Sequence, residues 1–288
     1  INIIYYAEIK IIEAISLPKR IAILSLIAVI PWIILFSVKS EAIHVYFFDV
    51  GQGDAAMVTT PGNIQILIDI GPPSGDVIAQ IASVMPRFDK HIEAIFISHA
   101  QIDHGGALSQ LLKHYSIGKL YLNDTSFLEK QDIVSTLPEV NAAYQGNRFN
   151  IDSYVDLDIL WPQEEIDHEF LDPNYRSQII QVTIGKECIL FMGDAEVGSD
   201  ALVDYVIDWP QCSILKSPHH GSKNAVTREF IEAVRPAFAV ISVGKNSFGH
   251  PSEEQIELFK SHSVEVLRTD EVGTIHFSIS GGVVSLVE

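Results

Sequence analysis

Residues 98–106 read Ser98-His99-Ala100-Gln101-Ile102-Asp103-His104-Gly105-Gly106. They directly follow the apolar run Glu93-Ala94-Ile95-Phe96-Ile97. They lead into a segment in which Leu108, Leu111, Leu112 and Tyr115 recur at helical spacing. The order therefore predicts a buried strand, a loop and a helix. Three metal-competent side chains, His99, Asp103 and His104, fall within six residues of that loop. Imidazole and carboxylate are the ligands that hydrolytic metals use. The glycines that follow allow close backbone approach. Taken alone, the segment reads equally well as a polar loop whose Asp103 caps the next helix.

Three more loops share this construction. Phe191-Met192-Gly193-Asp194-Ala195 ends an apolar strand with a carboxylate one glycine later. Pro218-His219-His220-Gly221-Ser222-Lys223 follows the strand Cys212–Lys216, and Gly244-Lys245-Asn246-Ser247-Phe248-Gly249-His250-Pro251 follows Ala237–Val243. Loops at strand ends are where mixed α/β proteins place their sites. Adjacent histidines diverge in an extended chain, so one of His219 and His220 suits a metal while the other faces substrate or packs.

Further out, short strands alternate with helices from residue 43 onward. Strands are predicted at 42–50, 55–60, 64–70, 93–98, 119–123, 156–162, 178–184, 187–192, 212–216, 237–243, 264–269, 274–280 and 283–287. Helices are predicted at 75–85, 106–115, 124–137, 197–207, 228–234 and 252–261. Each half opens on strands and continues as strand–helix alternation, which suggests two packed sheets with helices outside.

The 288 residues are 47% hydrophobic and 19% charged, which excludes a disordered chain and suffices for a core. Acidic residues outnumber basic ones 37 to 19, for a formal charge of −18, so the average field repels nucleic acid. Residues 21–38 carry no charge and would span about 27 Å as a helix, near the thickness of a bilayer core. They read as a membrane helix, kinked at Pro31, or else as a buried core helix. Residues 1–16 hold Glu8, Lys10 and Glu13 among apolar residues and read as an interfacial helix. Lys19 and Arg20 before the span, against Lys39 after it, place residues 41–288 outside the cytoplasm. Removing residues 1–40 leaves 15 basic and 35 acidic residues, a net −20. The chain opens on Ile1 and reads as a fragment or a processed product, with further membrane segments expected upstream. Cys188 and Cys212 lie in apolar strands and read as two buried free thiols, although an outside location permits a bridge.

His99-x-x-x-Asp103-His104 resembles the His-x-His-x-Asp-His signature of the metallo-β-lactamase-fold superfamily. Phe48-Asp49-Val50-Gly51-Gln52-Gly53-Asp54-Ala55, Leu67-Ile68-Asp69-Ile70-Gly71, Gly193-Asp194, His219-His220-Gly221-Ser222, Gly249-His250-Pro251 and Arg268-Thr269-Asp270 are similar, in the same order, to the C-terminal domain of ComEC-type competence proteins. The resemblance covers about residues 43–280. It implies an α/β metallo-β-lactamase-like αβ/βα four-layer sandwich at 41–288, preceded by a transmembrane helix in a membrane segment at 1–40. That segment is the end of a larger membrane region.

The resemblance further implies a metal-dependent phosphodiesterase or nuclease of the DNA-uptake machinery, degrading the strand that is not imported. Its partners are DNA, the membrane and other competence proteins; no oligomeric state is legible. His99, Asp103, His104, Asp194 and a downstream histidine match the metal ligands. His219 is the first candidate for that ligand, and the sequence does not order it against His220 and His250. Asp194, His219, His220 and His250 are the catalytic candidates; Ser222, Lys223 and Asn246 are the substrate-contact candidates, with Lys223 reading also as a surface lysine. Asp49, Gln52, Asp54 and Asp69 are expected to orient ligands or to hold the strand ends, with Asp54 reading equally as a turn builder, and Gln101 is placed with them. Gln101 stands where the superfamily has its second histidine, and the middle histidine is missing from Asp172-Pro173-Asn174-Tyr175-Arg176-Ser177. Divalent ions are expected in an asymmetric centre, one tight and one weak, with manganese favoured over zinc. Two alternatives remain: another hydrolase on this fold, for a lactone, thioester or small phosphodiester, and a catalytically weak module that guides DNA.

Overall fold

The computed structural model describes residues 16–37, 42–74, 76–129, 137–164, 172–198 and 208–287. The interfacial segment expected at 1–16 lies outside the described residues except for Ser16. So do residues 130–136 and 199–207 of two expected helices. The chain divides into two units, Ile1–Glu41 and Ala42–Glu288. In the first, α1 (Leu17–Ser37) is a 21-residue helix over the apolar run. Its side chains are described only in part and no further than Ile30. Among the described residues no helix is long and apolar enough to cross a membrane.

The second unit is built on two sheets. The first contains β1 (Ile43–Phe47), β2 (Ala55–Thr59), β3 (Gln65–Ile70), β4 (His91–Phe96), β5 (Ser116–Tyr121), β6 (Glu139–Asn141), β14 (Ile275–Ser280) and β15 (Val283–Val287), in the order β15-β14-β1-β2-β3-β4-β5-β6. The second contains β7 (Arg148–Asn150), β8 (Val155–Trp161), β9 (Ile179–Ile184), β10 (Glu187–Phe191), β11 (Ile214–Lys216), β12 (Phe238–Ile241) and β13 (Glu265–Arg268), in the order β13-β12-β11-β10-β9-β8-β7. Strands β3 to β6 pair in parallel, as do β10 to β13; the other pairings are antiparallel.

Among the described residues the α-helices of this unit are α2 (Val77–Val84), α3 (Ile102–Gly105), α4 (Leu108–His114), α5 (Ser126–Glu129), α6 (Arg228–Val234), α7 (Glu253–Ser261) and α8 (Thr269–Val272). Side-chain alternation along the strands builds three cores. Val45, Phe47, Ile68 and Phe96 of the first sheet meet Leu157, Val182, Ile189 and Phe191 of the second. Leu67 and Ile95 on the opposite face pack against Val77, Ile81, Leu108 and Leu111 of α2 and α4. Leu190, Leu215 and Ala239 pack against Phe230 and Val234 of α6 and Phe259 of α7. The layers are thus helix, sheet, sheet, helix.

Cys188 and Cys212 form a disulfide, which corrects the reading as free thiols. The reason is topological: β10 and β11 are parallel neighbours with Ile189 opposite Ile214, which brings the two Cα atoms within 4.7 Å. The short edge strands β6 and β7 were not predicted; three residues carry too little periodicity to register.

Candidate metal centre

The loops after β1, β3 and β4 in one sheet meet those after β10, β11 and β12 in the other. Asp69 anchors the first side. Its backbone takes φ +56° within β3, a left-handed conformation uncommon outside glycine. Its carboxylate accepts hydrogen bonds from Ser98 N at 2.7 Å, Ser98 Oγ at 2.8 Å and His104 Nδ1 at 2.8 Å. With Nδ1 engaged, His104 turns Nε2 toward Asp194 Oδ1, 3.2 Å away. Asp194 reaches that point because Gly193 precedes it at φ +52°. A Cβ on Gly193 would stand 2.8 Å from Ser98 Cβ and 2.9 Å from Ser177 Cβ. The Asp194 N–H donates to Ser177 Oγ at 3.1 Å.

The two adjacent histidines are not extended. His219 and His220 take φ +46° and +52°, and Gly221 follows at +77°. Two non-glycine residues in this region are strained, and such strain gathers where the surroundings over-determine the conformation. Each ring is fixed through Nδ1: His219 on Glu196 Oε1 at 2.8 Å and His220 on the Ser242 carbonyl at 2.9 Å. His220 Nε2 then meets Asp103 Oδ2 at 3.3 Å, and His219 Nε2 meets Asp194 Oδ2 at 3.9 Å. His99 Nε2 lies 3.8 Å from Asp194 Oδ2.

Two overlapping groups result, His99–His104–Asp194 and Asp103–His104–His220, each with ligand atoms within 4.8 Å of one another. Bonds of about 2.0–2.1 Å to a tetrahedral ion imply ligand atoms about 3.3 Å apart. The His104–Asp194 and Asp103–His220 separations of 3.2 and 3.3 Å match that edge. His99 Nε2, His104 Nε2 and Asp194 Oδ1 are buried, and none completes a hydrogen bond among the described residues. Buried polar atoms left in this way are costly unless they converge on a further group. The donor set fits a divalent cation. A third group, Asp54–Asp69–His104, is already internally bonded and serves as support.

Electrostatics follow from this crowding. Burial opposes the charge on His104, but the Asp194 and Asp69 carboxylates outweigh it and hold the imidazole well above its ordinary pKa. His220, likewise buried, is raised to about 9 by Asp194, Asp103 and Asp54. His99 is lowered to about 3 by burial and by neighbouring His104. Despite burial, Asp194 is held well below the carboxylate range, chiefly by His104 and His220.

Residues 48–245 match the metallo-beta-lactamase superfamily. The chain belongs to that superfamily. Among curated proteins it is 29% identical over 257 residues to ComE operon protein 3 of Bacillus subtilis, covering 81% of this chain and 33% of that one. It is 28% identical over 264 residues to competence protein ComA of Neisseria gonorrhoeae, covering 88% and 36%. The chain spans about a third of the length of these relatives. The likeness to competence proteins read from the motifs is therefore present in the matches. The solved metallo-beta-lactamase fold protein YhfI from Bacillus subtilis superposes with a TM-score of 0.58 at 12% identity, covering 83% of this chain and all of that one.

Against the superfamily's usual ligand set, Gln101 and Asn174 are informative. Gln101 Nε2 donates to Asn174 Oδ1 at 2.5 Å, so a side chain of the loop lacking the middle histidine bonds the amide that replaces the second one. Of the three downstream histidines, His220 joins Asp103 and His104. His219 borders Asp194, and His250 packs edge-on against His219 at 5.2 Å between ring centroids.

The remaining expected residues make the following contacts. Asp49 Oδ1 accepts from Gly51 N at 3.1 Å and Gln52 Oε1 from Gly244 N at 3.2 Å, so both hold loops. Ser222 Oγ donates to Glu196. Lys223 is exposed and paired with Glu254 at 3.3 Å. Asn246 binds its own loop. Asp54 is no turn builder: it is buried, with Oδ2 2.6 Å from Lys216 Nζ and Oδ1 3.2 Å from His220 Nδ1. Sequence reasoning missed Lys216 and Glu196. Lys216 had a signal, as the one charge in the apolar strand that leads into Pro218-His219-His220.

Proposed function

We propose that residues 41–288 are a metal-dependent phosphodiesterase acting on DNA within a membrane DNA-uptake protein, degrading the strand that is not imported. The carrying observation is the buried, convergent set His99 Nε2, His104 Nε2 and Asp194 Oδ1, in a chain whose relatives are named as competence proteins. Asp103, His104, Asp194 and His220 would hold the tighter ion, and His99 with Asp194 a weaker one. The amide pair Gln101–Asn174 supports this asymmetry, and the oxygen-rich set favours manganese over zinc. When bound, the ion supplies Lewis acidity at a phosphoryl oxygen and lowers the pKa of water.

The chain's own residues do the rest. Asp194 Oδ2, between His99 and His219, positions the attacking water. His219 is opposed by burial but raised in pKa by its bond to Glu196, which favours the protonated ring and suits its Nε2 to give a proton to the leaving oxygen. His250 backs the His219 ring. Residues 1–40 are the membrane segment and the hydrolase domain lies outside the cytoplasm. The Cys188–Cys212 disulfide supports that side, since such bonds persist in oxidising compartments. DNA and other uptake proteins are the partners.

The test is cleavage of single- and double-stranded oligonucleotides by the whole chain in manganese, in zinc and in chelator. Cleavage in a metal and none in chelator is expected; no cleavage in any metal would sink the enzymatic reading. A second reading, a catalytically weak DNA-guiding module, is favoured by the two missing histidines and the acidity of residues 41–288. Under that reading Asp194→Ala leaves DNA handling unchanged.

A further inference from the structure

We propose that Phe248 is a stacking platform for an unpaired nucleobase flanking the scissile phosphate; this rests on the reading of the site as a DNA phosphodiesterase. Phe248 is 73% exposed, yet its loop is tightly fixed. Asn246 Oδ1 accepts the N–H groups of Phe248, Gly249 and His250 at 3.0, 3.1 and 3.1 Å. Its Nδ2 donates to the Gly244 and His250 carbonyls at 2.9 and 2.7 Å. One side chain thereby bonds five backbone groups and presents the phenyl ring to solvent on a rigid support.

The ring's direction is informative. It lies 5.9 Å from His250, which lies 5.2 Å from His219, whose Nε2 is 3.9 Å from Asp194. A line of rings therefore runs from the centre to solvent and ends in an apolar face. Ile102, immediately before Asp103 at the start of α3, is also 56% exposed, so the segments leading into the centre from both sheets carry an exposed apolar side chain. Lys245, in the same loop as Phe248, is exposed and forms no ion pair among the described residues. An exposed aromatic in one loop with an exposed lysine, leading out from a phosphodiesterase centre, is the combination that single-strand binders use: ring for base, cation for backbone. A lone exposed phenylalanine elsewhere would need no explanation. A solvated acidic domain also needs an uncharged way to hold a polyanion, and stacking provides one.

The experiment uses the whole chain in manganese with fluorescent single strands, phosphorothioate-linked to slow cleavage, of equal length with and without bases. Wild type is expected to bind the base-bearing strand roughly 5- to 100-fold tighter than the abasic one. Phe248→Ala should erase that ratio and Phe248→Trp should keep it. Quenching of 2-aminopurine in the bound strand should follow the same order. A base-bearing to abasic ratio unchanged in Phe248→Ala overturns the platform. In parallel, unmodified strand is tested for cleavage. If wild type cleaves it but shows no base preference, only the platform falls; if wild type neither binds nor cleaves, the underlying reading falls with it.

Discussion

Replacing Lys216 by Met should destabilise the protein by about 3–5 kcal/mol, the usual result of removing one partner of a buried ion pair. Lys216 and Asp54 are 3% and 4% exposed, and their charged atoms are 2.6 Å apart. At an effective dielectric of about 20 their attraction is about 6 kcal/mol, which desolvation largely offsets while both are present. Methionine keeps the apolar stem but leaves Asp54 with His220 and His104 as cationic neighbours, of which His220 Nδ1 already serves Ser242 and His104 Nδ1 already serves Asp69. For a domain of this size each kcal/mol moves Tm by about 2–4 °C, so a fall of about 6–20 °C is expected in thermal melts with chelator. Asp54→Asn on the Met background should recover at least 1 kcal/mol, because the lone charge is removed. Lys216 and His220 hold the Asp54 carboxyl below its usual range, despite burial. Losing the lysine raises that pKa, so the variant's deficit should shrink as pH falls through the carboxylate range. A Tm change under 2 °C, or an additive double variant, would refute the reasoning.

Reducing the Cys188–Cys212 bond, which closes a separation of 24 residues, should cost about 3.5 kcal/mol in denaturant unfolding; equal midpoints for oxidised and reduced protein would contradict this. In metal-free protein the raised pKa of His220, about 9 in the fold, gives a stabilisation complete below the unfolded value of about 6.5 and lost as pH rises to about 9. Urea midpoints in chelator should fall over that window, and a flat profile would count against the ion-pair geometry. Gln101→His with Asn174→His should tighten the weaker metal position at least tenfold in calorimetric titration, and an unchanged second affinity would show that the amide pair does not limit it.

The site was largely legible because its chemistry is local. His99, Asp194 and the 219–220 pair sit just past the ends of apolar strands, and Asp103 and His104 in the short α3 that follows β4, a strand-end pattern that a few residues carry. What could not be read depends on contacts far apart in sequence. That His220 rather than His219 stands beside Asp103 depends on the left-handed turn at 219–221, which no side-chain pattern announces. Asp54 read equally as a supporting residue and as a turn builder because its partner Lys216 lies on the opposite sheet. The disulfide required the parallel pairing of β10 with β11, and the Gln101–Asn174 bond required the two sheets to meet. Fold layers were legible from apolar runs; the short edges β6 and β7 were not.

The most direct test of the central claim is single-turnover cleavage of an end-labelled single strand by wild type and Asp194→Ala, in manganese and then after chelation. The expected result is manganese-dependent cleavage by wild type that stops on chelation and falls at least a hundredfold in Asp194→Ala. Cleavage that survives both the chelator and the loss of Asp194 would contradict it.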